Sequence, residues 1–471
     1  MKERRETIKI RRTEITGRSL LAALTMMKKH ALLIIFFIPL LSNAQTIIPP
    51  SSDHVVHFIQ YSPDGKQAIA NTADHIVGVW DMSTGKLLHS LVHEETAYDA
   101  IYDPSGNYIL SYSYSMGMPP VYEGASLWDA GSGKLLYKFE DHNGSITTMD
   151  FSPDSKKIIT GSRDSTVNMW NVSNGSLMHS LEKHNGTIEC VKFNPDGNSF
   201  VTTSSDKTAI IWDSNTGDVL HTLQEHTGKV AYAEFSPDGK TLFTASSDNS
   251  VKIWNADTGE FLQTLKGHPG NVTYIAFSPD NSYLLTVASD MAVVNNTIML
   301  WDARSLNLIH KIEGNIFDDS AIGHRKFISA AVFSSNGKRL ITSSFDRTVK
   351  IWDTETGKLV KNFDYHAPNL AFHPSKNIFL AGALNGFLMI DAEAGDEIIE
   401  LYTVDDAPEK WIHMVNLTYL DTQEELLSRI IVRENGQRSR FTNYKADYYV
   451  TGLWNKVMKG DTSFIKNDPS D

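Results

Sequence analysis

The sequence predicts an all-β protein: four-stranded antiparallel sheets, one per unit of a repeat, assembled as the eight blades of a single closed propeller, with seven blades as the alternative. Three observations predict it. A unit of about 40 residues recurs along most of the chain. Inside each unit, short alternating or β-branched stretches are separated by turns rich in Pro, Asp and Gly, and fixed His, Ser, Asp and Trp positions keep their spacing from unit to unit.

The clearest unit runs from His184 to Asp213. His184 stands 22 residues before Asp206, Asp206 stands 6 before Trp212, and Ser204 is two before the aspartate. The same ruler places His142, Ser162, Asp164 and Trp170 in the preceding unit, and His226, Ser246, Asp248 and Trp254 in the next. It also places His324, Ser344, Asp346 and Trp352 further on. Within the unit, Ile188 to Phe193 alternates and runs into the turn NPDG. Ser199 to Ser204, Thr208 to Trp212 and Val219 to Leu223 supply three more strands.

The endings Trp80-Asp81, Trp128-Asp129, Trp212-Asp213, Trp301-Asp302 and Trp352-Asp353, with Trp170-Asn171 and Trp254-Asn255 as variants, resemble the WD-repeat β-propeller family. So do the SPDG turns at 62–65 and 236–239. The resemblance covers residues 53–402. It implies that His, Ser, Asp and Trp form a hydrogen-bonded chain in each blade, with the His before the innermost strand and the Asp in the turn between the second and third strands. Such a chain satisfies a physical need, because a buried indole N–H needs an acceptor and a buried carboxylate needs donors. A Ser-His-Asp set also fits a hydrolase triad, but a triad is needed once and this set occurs four times at structural spacing.

Composition agrees with an ordered globular chain: 41% hydrophobic, 10% aromatic and 21% charged residues among 471. The net charge of −13 argues against nucleic acid or an anionic membrane as the main partner. The one cysteine, Cys190, excludes an internal disulfide and zinc sites built on cysteine pairs, and reads as a small buried hydrophobe.

Residues 1–44 read as a leader. Lys28, Lys29 and His30 precede an apolar run from Ala31 to Leu41, and Ser42 to Ala44 fits a signal-peptidase site, which predicts a start at Met26 or Met27, cleavage after Ala44 and export to the periplasm or beyond. An uncleaved inner-membrane anchor is the alternative, and the mature chain is expected to have no membrane span. Residues 45–54 are a linker. The propeller occupies 55–402, and 403–471 form a C-terminal extension whose run from Ile430 resembles the connector between propellers and caspase-like domains in bacterial proteins.

The first unit keeps Thr72, Asp74 and Trp80 in register. The second carries the insertion 112–124, with Tyr122 where the turn aspartate belongs, and is expected to have lost its hydrogen-bonded chain. Units three to five are regular. The sixth has extra residues at 291–296, and 313–323 separates it from the seventh. The eighth has Ile390 in place of Trp and Leu384 in place of Asp, a degenerate closing blade.

Phosphate loops, helical metal-binding pairs and a GxSxG elbow do not occur, so no catalytic residue, metal or cofactor is expected. Nor does the sequence show a set of repeat-breaking polar residues in the central channel. The three insertions should emerge on one face, and Tyr114, Met116, Met118, Pro119, Tyr122, Met291 and Phe317 are the candidate partner-binding residues. The competing reading is that loops tolerate extra residues. The expectation is therefore an exported, non-enzymatic scaffold that binds a protein or peptide through one face. A lid or accessory subunit of an envelope hydrolase, or a propeller enzyme with an unrecognised site, is the alternative.

Overall fold

The computed structural model describes residues 56–403, apart from 57, 74, 84–85, 115–121, 290–294, 316–321, 366, 384–385 and 394–396, together with a few short strands outside that span. Eight sheets follow one another in chain order, each made of four consecutive strands paired antiparallel, here called a to d from the channel outwards. Blade four is typical, with strands Ile188–Phe193, Ser199–Ser204, Ala209–Asp213 and Val219–Leu223. Blade eight adds a fifth strand, Trp411–Met414, on its outer edge against Glu397–Thr403. The leader reading at 1–44 and the candidates Met116, Met118, Pro119, Met291 and Phe317 lie outside the described residues. So does most of the tail, except for isolated strands.

The core lies between blades rather than within them. One cluster joins Ile159, Val167, Met169 and Leu181 of blade three to Ile188, Val191, Phe193 and Trp212 of blade four, and another joins Val201, Ile211 and Leu223 of blade four to Ala233, Leu242 and Trp254 of blade five. Each sheet is apolar on both faces, so it is stable only with a neighbour on each side, and the array has to close. It closes by neighbour packing. Every sheet keeps its own four strands, and at the seam Asn369 donates to the Val56 carbonyl at 3.3 Å while the Tyr61 and His373 rings meet edge to face at 5.0 Å.

The insertions lengthen hairpins. In blade two, strands b and c extend until Tyr114 pairs with Tyr122. In blade six, strand c begins at Asn295 and strand d ends at Asn315, and these two residues pair. Residues 313–315, expected in a connection to blade seven, are therefore the upper end of the outer strand of blade six. The two insertions of that region converge on one blade.

Candidate functional site

Each regular blade holds a buried polar chain. Trp212 Nε1 donates to Thr202 Oγ1 at 2.8 Å, Thr202 Oγ1 lies 2.7 Å from His184 Nε2, and His184 Nδ1 lies 2.9 Å from the Asp206 carboxylate. An indole nitrogen can only donate, so the threonine oxygen accepts from it and gives its own proton to Nε2. That leaves Nδ1–H for Asp206 and fixes a neutral imidazole. Burial lowers the His184 pKa against the opposing pull of Asp206. Blades five and seven repeat the arrangement through Thr244 and Thr342. Blade three does so through Thr160, with Thr166 inserted between His142 and Asp164.

The hydroxyl in this chain is not the expected serine. Ser204 and Ser344 donate to the carbonyls of Gly186 and Lys326, at 3.0 Å each. Ser162, Ser204, Ser246 and Ser344 each accept from the backbone N–H of the turn aspartate. The reason is reach: residues two apart on a strand share a face but lie about 6.6 Å apart, and the serine sits at the turn, one step too far from the indole. Blade two also departs from expectation. It keeps the inner half of its chain, with Trp128 donating to Ser111 at 2.8 Å and Ser111 lying 3.1 Å from His93. In blade six His268 reaches Thr286 but its Nδ1 has no partner, and burial pushes its pKa down to about 4.

A second set of histidines, missed in the sequence, ties the outer strands together. His89, His179, His221 and His310 each bond a carbonyl in the c–d turn of the following blade, at 2.8 to 3.2 Å. The imidazole lies against a turn glycine: Gly217 has φ +74°, and a Cβ there would come within 3.0 Å of the His179 ring. Most of the histidines of the described blades thus have structural positions, at two repeating sites rather than one.

The channel does hold a repeat-breaking polar set, contrary to expectation. Strands a of blades two to six carry Asp99, Asp150, Lys192, Glu234 and the tyrosines Tyr232 and Tyr274, whose rings are 5.1 Å apart. Burial raises the carboxyl pKa values of Asp150 and Glu234 and pushes that of Asp99 up to about 6. Lys192 is held above the ordinary lysine range, first by Asp150 and also by Glu234, so it remains an ammonium and is no nucleophile. The Cys190 thiol beside it is pushed up to about 12 by burial and is unreactive. At the position of Asp150, blades six, seven and eight carry Ala276, Val332 and Ala371, so the channel wall is charged along one arc and apolar along the other.

At the end of the channel where strands a enter the a–b turns, a cavity of about 480 Å³ opens between blades eight, one, two and three, with Asp150 in its wall. The inserted hairpins are at the other end, with the b–c turns. Among the described residues, no group of three His, Cys, Asp or Glu is placed to hold a metal ion.

Two family models match the chain. One, the NWD2 C-terminal beta-propeller, spans residues 178–395, and the other, the WD domain, G-beta repeat, spans 133–171. With eight four-stranded blades, these matches decide the family. The chain belongs to the WD-repeat β-propellers. A computationally designed protein, Ika8, shares the fold, with a TM-score of 0.58 and 24% identity over 71% of this chain and 94% of that one. The U3 small nucleolar RNA-associated protein 15 homolog of Xenopus tropicalis is 31% identical over 106 residues, which are 22% of this WD-repeat chain and 21% of the relative. An uncharacterized WD repeat-containing protein of Schizosaccharomyces pombe is 25% identical over 134 residues, 26% of this chain and 32% of that one. The chain thus spans about a fifth to a third of the length of these curated relatives. Further homologs of the U3-associated protein, from Xenopus laevis and Gallus gallus, match similarly. The U3-associated relatives are named for a small nucleolar RNA, and on that finding the expectation of an exported or membrane-anchored chain is corrected. The envelope-hydrolase alternative, which rested on export, is withdrawn with it.

Proposed function

We propose that this WD-repeat propeller is a non-enzymatic scaffold that binds a protein or peptide partner through the face where the b–c turns and the d–a connections emerge. The carrying observation is the pair of lengthened hairpins on that face, Tyr114 with Tyr122 in blade two and Asn295 with Asn315 in blade six, beside the short regular b–c turns of blades three, four, five and seven. In this reading Tyr114, Met116, Met118, Pro119, Tyr122, Met291 and Phe317 make the contact, the sixteen His, Ser, Asp and Trp residues hold the frame, and 55–402 is the folded unit. The names of the relatives support a second setting, an RNA-associated assembly. The net charge of −13 disfavours direct phosphate contact, so within such an assembly the propeller's partner is a protein.

Cross-linking mass spectrometry on the native assembly, with and without nuclease, tests this. Cross-links to proteins are expected to concentrate at 112–124, 291–296 and 313–323, to survive nuclease and to disappear when 115–121 is replaced by a short Gly-Ser turn. Absence of protein cross-links from these three segments, or their loss with the RNA, would sink the proposal.

A further inference from the structure

The cavity at the a–b end of the channel has a chemistry of its own. Its wall includes two carboxylates, Asp150 and Asp103, and four aromatic rings, Tyr61, Tyr102, Phe151 and Phe372; no lysine or arginine lines it among the described residues. Asp103 is committed locally, accepting from the Ser105 hydroxyl and from the backbone N–H groups of Ser105 and Tyr108, and so contributes charge rather than a free oxygen. Asp150 accepts from the Phe193 N–H at 2.8 Å through one oxygen. Tyr61, only 5% exposed, also lines the cavity, and its hydroxyl has no hydrogen-bond partner.

From this arrangement we infer that the a–b mouth binds a cationic side chain, an arginine or lysine presented by an extended peptide segment, with Asp150 as its counter-ion. Three features converge on that guest. A carboxylate in a half-buried wall favours a charge-assisted partner. Aromatic faces attract a cation that keeps an apolar stem. The volume of about 480 Å³ exceeds one side chain and accommodates a short stretch of backbone as well. Lys192 on the next strand is the opposing charge and Asp150 is its first partner, but Glu234 shares the same ammonium, so two carboxylates face one cation and a negative charge is left over. The site lies at the opposite end of the channel from the inserted hairpins, and its test leaves the reading of that face untouched.

The experiment is a fluorescence-anisotropy titration of the full chain with a labelled Gly-Gly-Arg-Gly-Gly peptide and its citrulline counterpart, which keeps the shape and removes the charge. The arginine peptide is expected to bind at least about tenfold more tightly than the citrulline peptide. Asp150→Asn keeps an acceptor for the Phe193 N–H and is expected to lose about tenfold in affinity. Ala371→Trp fills the cavity from the blade-eight side and leaves the Asp150 carboxylate in place, and it is expected to abolish binding, with circular dichroism confirming that both variants are folded. Failure of the arginine peptide to bind, equal binding of the citrulline peptide, or undiminished affinity in either folded variant would each overturn the inference.

Discussion

Blades three, four, five and seven differ from the closing pair, blades eight and one, in how they fill the same space. The regular blades bury a tryptophan and satisfy its N–H through a threonine and a histidine. In blade eight Ile390 replaces the tryptophan and Ala381 replaces the threonine, both fully buried. Blade one keeps Trp80 but has Ala70 at the hydroxyl position. In blade eight, donor and acceptor have gone together, so its core is consistent without a polar chain. Blade eight teaches that the hydrogen-bonded chain can be dispensed with when its donor and acceptor are lost together. Losing both partners is nearly neutral, whereas losing one strands the other.

Breaking the two kinds of blade in opposite directions gives the largest expected effect. Thr202→Val should cost about 1–3 kcal/mol, since it leaves the Trp212 N–H and His184 Nε2 unpaired in a buried site. The reciprocal Ala381→Thr in blade eight should also destabilise, by placing a hydroxyl without an indole partner among Phe379, Leu388 and Ile390. Ser204→Ala, which touches only the turn, should cost less than Thr202→Val. Urea midpoints of the three variants decide the matter, and a larger loss for Ser204→Ala would restore the serine to the centre of the chain.

The repeat and the ring were legible in the sequence because period and turn chemistry are local. The identity of the bridging hydroxyl was not. The stretch Thr202, Thr203, Ser204, Ser205 offers four hydroxyls, and alternation alone puts Thr202 and Ser204 on one face; only the depth of the indole separates them. The channel charges were hidden for another reason. Asp150, Lys192 and Glu234 are each 42 residues apart and each reads as the polar position of an alternating strand. Aligning the innermost strands position by position, rather than reading each strand alone, would have brought them together. The outer histidines escaped for the same reason, since their partners are carbonyls of the next blade.

The closing seam has its own pH response. His373 stands where the other blades carry Ser, Asn or Asp, and its Nδ1 accepts from the N–H groups of Ser375 and Lys376 at 3.1 Å. Burial first, then Lys376, push its pKa down to about 4, against Gly65 and Asp64. A folded value below the unfolded value of about 6.5 means that the neutral ring stabilises the seam above that pH, and the contribution is lost as pH falls through about 4. His373→Asn keeps an acceptor, as Asn194 does in blade four, and does not titrate. The wild-type chain should lose more stability than the variant between neutral pH and pH about 4.5. Equal losses in the two melting curves would remove His373 from the seam's acid response.

The smallest effect sharpens the comparison from the side of the regular blades. Their b–c turns place a non-glycine residue in the left-handed region directly after the turn aspartate: Ser165, Lys207, Asn249 and Arg347 have φ between 67° and 76°. A Cβ in that conformation costs about 1–2 kcal/mol, and the regular blades sustain it because Asp206 holds the turn from both sides. The aspartate accepts from Asn185 N across to the d–a connection and from Thr208 within the turn. Lys207→Gly relieves the strain but adds freedom to the unfolded chain, so the net gain should be under about 1 kcal/mol. The gain should shrink or reverse when Asp206 is also changed to Ala, since the turn then no longer holds that conformation. If thermal melts show Lys207→Gly destabilising with Asp206 intact, the lysine side chain contributes more to the turn than its backbone costs.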